Sequence, residues 1–179
     1  MIRRIALTVL LGAAYPLSSQ AIPTASRAAD AQVGFGYAAG RPDYVQQTFP
    51  GLAAYADLDL RPHLGVEAEF HQIASTSGNL MREQTYEIGG RYLCTYGALV
   101  PYIKAMAGIG VLRYPQGLTT LGYAMFAGGA GADLKLTTRI HLRGEYEFQK
   151  WTSFPNGGLT PQIVTVGVAY HFDGRLRSR

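Results

Sequence analysis

The segment Ile140-His141-Leu142-Arg143-Gly144-Glu145-Tyr146-Glu147-Phe148-Gln149 alternates between two kinds of residue. Ile140, Leu142, Tyr146 and Phe148, together with Gly144, make one series; His141, Arg143, Glu145, Glu147 and Gln149 make the other. Successive side chains of a β-strand point to opposite faces. The segment is therefore a strand with an oily wall and a charged wall. Soluble antiparallel sheets alternate in the same manner, so the remainder of the chain has to decide which wall meets water.

Weaker forms of this pattern run through the chain and predict eight strands, over 32–38, 52–60, 64–73, 83–93, 100–112, 123–135, 140–148 and 162–172. The apolar series continues through Leu64, Val66, Ala68 and Phe70, through Tyr86, Ile88 and Tyr92, and through Val164, Val166, Val168, Tyr170 and Phe172. Segments 39–50, 74–82, 113–121 and 152–161 are longer connections rich in Gly, Pro, Ser and Thr, whereas those near 61–63, 94–99 and 136–139 are short. Helical periodicity of useful length is absent from the sequence. Alternating long and short links between strands fit an up-and-down antiparallel meander.

The chain opens with Arg3-Arg4, an apolar run from Ile5 to Ala14, and Ser19-Gln20-Ala21. A positive start, a short apolar stretch and a small-x-small site form an export signal, and the apolar run is too short to span a bilayer as a helix. Residues 1–21 are thus expected to be removed, with Ala28 and Ala29 the alternative cleavage sites. They precede a short segment over 22–30, the strand-bearing region over 31–172 and a tail over 173–179. The chain has 16 Lys plus Arg against 12 Asp plus Glu. Losing Arg3 and Arg4 with the signal leaves 14, close to neutral, and no basic cluster with interleaved aromatics points to a nucleic-acid partner. Cys94 is the single cysteine, so no intrachain disulfide forms; a structural thiol at a turn is expected.

An open sheet of eight strands would leave two unpaired edges, which closure removes. The apolar series could then line a soluble ligand-binding calyx, or face lipid around a charged lumen. Three features favour lipid. The strands, mostly about nine to thirteen residues, are long enough to cross a bilayer when tilted. Aromatics of the apolar series fall near strand ends: Tyr37, Phe70, Tyr86, Phe126 and Phe148 toward the long connections, and Tyr92, Tyr170 and Phe172 toward the short ones. That distribution matches two interfacial girdles. The opposite series mixes signs, with Glu67, Glu69, Glu87, Asp133, Glu145 and Glu147 against Arg91, Lys104, Lys135 and Arg143, joined by His71 and His141. Such a set can pair inside a narrow barrel, and Asp133 with Arg143 is the expected pair across the 136–139 turn. Turning the 140–148 strand over would aim Arg143, Glu145 and Glu147 at lipid, at up to roughly 2–4 kcal/mol for each charge near the midplane.

The stretches Leu64-Gly65-Val66-Glu67-Ala68-Glu69-Phe70, Ile88-Gly89-Gly90-Arg91-Tyr92, Pro101-Tyr102-Ile103-Lys104, Leu142-Arg143-Gly144-Glu145-Tyr146 and Val166-Gly167-Val168-Ala169-Tyr170-His171-Phe172 resemble the small outer-membrane β-barrel family. That family includes the transmembrane domain of outer-membrane protein A and the opacity-type surface proteins. The resemblance implies an eight-stranded transmembrane barrel in the cell outer membrane with both termini in the periplasm. It also implies that the aromatic-ended last strand, with Tyr170 and Phe172, is the signal read by the barrel-assembly machinery. Asp173 to Arg179 continue past the point where the family often stops.

The interior of an eight-stranded barrel is about filled by its own side chains. A structural or surface-exposed envelope role without catalysis, cofactor or metal is therefore expected, in a monomer whose partner is outer-membrane lipid. His71, His141 and His171 are expected to be separate members of the polar network. Adhesion or ligand binding through the four longer loops is the alternative, with Tyr44, Phe49, Tyr114 and Phe154 as anchors. A lipid A-modifying enzyme is the third class. Its deacylase type needs a His-x-Ser pair near the outer end of the seventh strand, where this chain has Lys150-Trp151-Thr152-Ser153; His71 and Ser75 are a weaker pairing.

Overall fold

The computed structural model describes residues 30–43, 47–74, 82–113, 120–152 and 158–172. The expected segments 1–21 and 173–179 lie outside the described residues, as do residues 22–29 of the expected segment 22–30, whose last residue, Asp30, opens the first strand; Tyr44, Ser75, Tyr114, Ser153 and Phe154 lie outside them too. Eight strands follow in order: β1 (Asp30–Arg41), β2 (Phe49–Arg61), β3 (Leu64–Ala74), β4 (Arg82–Leu93), β5 (Leu99–Arg113), β6 (Thr120–Lys135), β7 (Ile140–Trp151) and β8 (Gln162–Phe172). Each pairs antiparallel with the next, and β8 pairs with β1, closing the sheet into a barrel. Closure leaves no unpaired edge among the strands. No helix of the described residues is long and apolar enough to cross a membrane; the crossing elements are strands.

The alternation predicted from sequence sets the register. Val33, Phe35, Tyr37, Ile88, Ile103, Phe126, Tyr146 and Val166 all point outward and are exposed, forming one apolar wall. The pairing Phe70↔Tyr86 places two girdle aromatics side by side, with ring centroids 5.0 Å apart. At the other end Tyr170 and Phe172 meet edge to face at 5.0 Å. Tyr92 stacks on His63 at 5.8 Å.

Several strands run further than the pattern predicts. β7 reaches Trp151 and β6 starts at Thr120. Toward the long connections the inward positions turn apolar, so the polar–apolar contrast fades while the strand continues. Two apolar clusters occupy that end of the lumen: Met106, Leu112, Met125, Ala127, Trp151 and Leu159, and Ala38, Phe49, Ala53, Ile73 and Ile163. Phe49 is thereby corrected from a loop anchor to a lumen side chain, 7% exposed. A smaller cluster of Leu93, Val100 and Tyr102 lies at the short-turn end. There the chain reverses through Gly97, whose φ of 62° lies in the region that glycine tolerates best. Cys94 sits at this turn, half-buried.

Close strand approach inside the barrel depends on Gly89. A methyl group built there would press on the Ala105 carbonyl and lie 2.7 Å from the Met106 Cα. Its outward-facing neighbour Gly90 would meet nothing nearer than 3.9 Å. Gly89→Ala is expected to cost about 1–3 kcal/mol, the usual range for overpacking, whereas Gly90→Ala leaves stability nearly unchanged. Urea titration of the two variants in micelles measures both. Equal midpoints would mean that β4 and β5 part without penalty.

Candidate functional site

Beneath the apolar clusters the lumen is filled by charge. Glu67, Glu69, His71, Glu87, Arg91, Lys104, Asp133, His141, Arg143, Glu145 and Glu147 are each at most 5% exposed. They come from β3, β4, β5, β6 and β7 and converge because alternate residues of each strand face the axis. Lys135 does not join them: as the last residue of β6, paired with His141, it is exposed. The phase of the alternation is right for Lys135, but it lies at the barrel end, where a long ammonium side chain reaches water.

The network has two layers. In the layer toward the short turns, Arg143 donates from Nε to Asp133 Oδ1 at 2.8 Å, from Nη2 to Asp57 Oδ2 at 2.6 Å and from Nη1 to Glu67 Oε2 at 3.2 Å. Arg91 lies within 3.0 Å of Asp57, 3.4 Å of Glu67 and 3.3 Å of Asp133. The Arg143 guanidinium also covers the Tyr55 ring at 3.9 Å and the Tyr102 ring at 5.0 Å, and Arg91 covers Tyr102 at 4.8 Å. Two guanidiniums, three carboxylates and two phenol rings thus form one stack in a region shielded from water, where charge pairing and cation–π contacts are strongest.

In the layer above, the Lys104 ammonium contacts Glu69 and lies 3.0 Å from Glu67, 2.6 Å from Glu145 and 2.9 Å from Glu147. Tyr102 donates its hydroxyl to Glu145 at 2.5 Å. His71 sits between Glu69, 3.2 Å from Nε2, and Glu87, 3.5 Å from Nδ1. Gln149 donates to both Glu87 and Glu147, at 3.0 and 2.8 Å, and accepts from the Trp151 indole at 3.0 Å. That chain ties the charged layer to the apolar cluster above it.

Several members of this constellation lie outside the expected network. Asp57, Tyr55, Tyr102, Gln32 and Trp151 all face the lumen, as does Gln149, which the alternation of its strand places on the charged wall. Asp57 carried a usable signal, since it alternates with Ala54, Ala56 and Leu58. His141 and His171 are not separate as expected. Their rings stack at 4.9 Å, with His141 facing the Gln32 amide oxygen at 3.1 Å and His171 contacting Asp30. Closure of the barrel brings this group together, since β1 and β8 meet only through the last pairing. Lys150-Trp151 ends β7, with Trp151 turned inward and fully buried, and Thr152 begins the turn that follows.

Comparison with known proteins gives a consistent result. A family model described as the outer membrane protein beta-barrel domain matches residues 5–172. Among curated proteins no relative matches in sequence. The crystal structure of Neisserial surface protein A superposes with a TM-score of 0.68 at 11% identity, over 80% of this chain and 97% of that one. Ail, the attachment invasion locus protein of Yersinia pestis, gives 0.60 at 16% identity, over 82% of this chain and 100% of that one. The outer membrane protein OprG from Pseudomonas aeruginosa gives 0.58 at 12% identity, covering 82% and 97%. At these identities the likeness is one of fold.

Proposed function

Because this chain belongs to the outer membrane protein beta-barrel domain family and resides in the cell outer membrane, we propose that it is a closed, non-conducting barrel with a structural or surface-exposed envelope role. The carrying observation is the filling of its lumen. The charged residues pair with one another across the axis, Arg143 of β7 with Asp57 of β2 and Glu67 of β3, and apolar clusters lie at both ends of that network. An interior of this size holds side chains rather than a water column. The reading involves no catalytic step, and it assigns any contact with the outside to the lipid-facing wall and to the ends of the four longer connections. Asp43 and Thr160 support a braced outer rim, because the Thr160 amide and hydroxyl both donate to Asp43 Oδ2 at 2.8 Å and so join the first long connection to the fourth.

Planar-bilayer recording tests the proposal. The reconstituted mature protein is expected to give no conductance steps of the size a water-filled porin gives. Shortening the tips of the four long connections is expected to leave heat-modifiable gel migration intact. Stable, large conductance steps would refute a packed lumen. Loss of cell adhesion on tip shortening would move the role to loop-mediated binding.

A further inference from the structure

The buried network holds more acid than base. Asp57, Glu67, Glu69, Glu87, Asp133, Glu145 and Glu147 face Arg91, Lys104 and Arg143, an excess of four carboxylates, or of three when His71 carries a proton. Buried charge without a partner costs several kcal/mol, and interiors avoid it by pairing, neutralising or coordinating a cation. The excess is concentrated in the upper layer, where Lys104 is shared by Glu67, Glu69, Glu145 and Glu147.

Two overlapping triads there present converging ligand atoms, Glu69–His71–Glu145 and His71–Glu87–Glu147, each with its three atoms within 4.8 Å of one another. The second differs in an important respect. Lys104 holds both carboxylates of the first and Glu147 of the second, but among the described residues Glu87 has the Gln149 amide and His71 beside it and no lysine or arginine, and its Oε2 is buried without a hydrogen-bond partner. Gln149 holds the Glu87 and Glu147 carboxylates together with one amide nitrogen; Glu147 shares Lys104 at 2.9 Å, so the lysine's charge reaches one of the two anions and not the other. His71 contributes two distinct nitrogens. Nε2 faces Glu69 Oε1 at 3.2 Å and the Thr165 hydroxyl at 3.4 Å, and Nδ1 faces the Thr85 hydroxyl at 3.3 Å and Glu87 at 3.5 Å. An Nε2–H donated to Glu69 is the carboxylate–histidine pairing that orients imidazole ligands at metals, and it leaves the Nδ1 lone pair on the side of Thr85 and Glu87.

We propose that His71, Glu87 and Glu147 form an interior site for one borderline divalent cation of the zinc class, with Glu69 and Gln149 as positioning residues. An imidazole with two carboxylates suits such an ion better than calcium or magnesium, which take more ligands, all of them oxygen. Bonds of about 2.0–2.1 Å require tetrahedral ligand atoms roughly 3.3 Å apart, so the triad tightens modestly around the ion. No local motif marks this site: its three ligands lie on β3, β4 and β7, and no other histidine or cysteine lies within seven residues of His71 in the chain. The cluster around Trp151 covers the layer on the outer side, so the ion is loaded as the barrel folds.

The test uses the mature chain refolded from urea into detergent micelles, with EDTA or with Co²⁺, then desalted. Trp151 is the only tryptophan and is two hydrogen bonds from Glu87 through Gln149, so bound Co²⁺ quenches its emission. The expected result is about one equivalent of retained metal and a quenched Trp151 that recovers when Zn²⁺ replaces Co²⁺ during refolding. His71→Asn and Glu87→Gln are expected to lose both signals while keeping heat-modifiable migration. Glu69→Gln weakens binding about 10–100-fold. Refolded wild-type protein with no retained metal and unquenched Trp151 overturns the proposal, which then leaves bound protons as the compensation for the acid excess. Undiminished retention in folded His71→Asn overturns it as well. Should both ligand variants fail to fold, quenching and zinc recovery in the wild type decide.

Discussion

Replacing Lys104 with Met is expected to remove about 3–5 kcal/mol of stability, the cost of breaking a buried ion pair from one side. That is a large share of the roughly 5–15 kcal/mol typical of a folded domain. The ammonium is fully buried and contacts four carboxylates. Glu67 keeps Arg143 and Arg91, and Glu69 keeps His71. The described hydrogen bonds left to Glu145 and Glu147 come from neutral groups, the Tyr102 hydroxyl and the Gln149 amide. The loss should therefore concentrate on those two side chains. Adding Glu145→Gln and Glu147→Gln to Lys104→Met is expected to restore much of it, because an amide in the same place needs no counter-charge. Urea unfolding in micelles, followed by Trp151 emission, measures both variants. A loss under about 1 kcal/mol, the level of a solvated surface pair, would mean that water reaches the lumen and screens the network.

The contrast between Lys104 and Lys135 shows how far alternation can be read. Both lie on the inward phase of their strands, yet one is at the centre of the network and the other is exposed at the barrel end. Phase follows from a period of two residues and is visible in any strand with one oily face. Depth along the axis is not visible, because it depends on how far each strand continues beyond the lipid. The same limit hides the outer lumen. Leu112, Met125 and Trp151 lie on the inward phase but are apolar, so a polarity pattern cannot distinguish them from the lipid wall. The Asp133–Arg143 pair faces itself across a short turn, and proximity in the chain was enough to expect it. Arg143 with Asp57 joins β7 to β2; only barrel closure and its diameter create that contact. The His71 triad is harder still, since it draws on three strands and no local motif marks it.

Arginine placed on the outer wall separates lipid from water as the surroundings of this barrel. Ile88 lies near the middle of β4, is 67% exposed, and faces Ala68 and Ala107 on the neighbouring strands. Tyr86 on one side and Tyr92 on the other bracket it within the same strand. Ile88→Arg is expected to cost about 2–4 kcal/mol in lipid vesicles, because the charge enters the hydrocarbon near its midplane. Leu99, equally outward but at the first residue of β5 beside the short turn, is the control. Leu99→Arg is expected to cost about 0–1 kcal/mol, since its guanidinium reaches the interface. On a wall that faced water both substitutions would fall within about 0.5 kcal/mol of wild type. The difference between the two sites, measured by urea unfolding in vesicles, therefore depends on depth in the membrane and not on the chemistry of arginine. Equal costs at Ile88 and Leu99 would place the apolar wall outside the bilayer, and with it the reason for a charged interior.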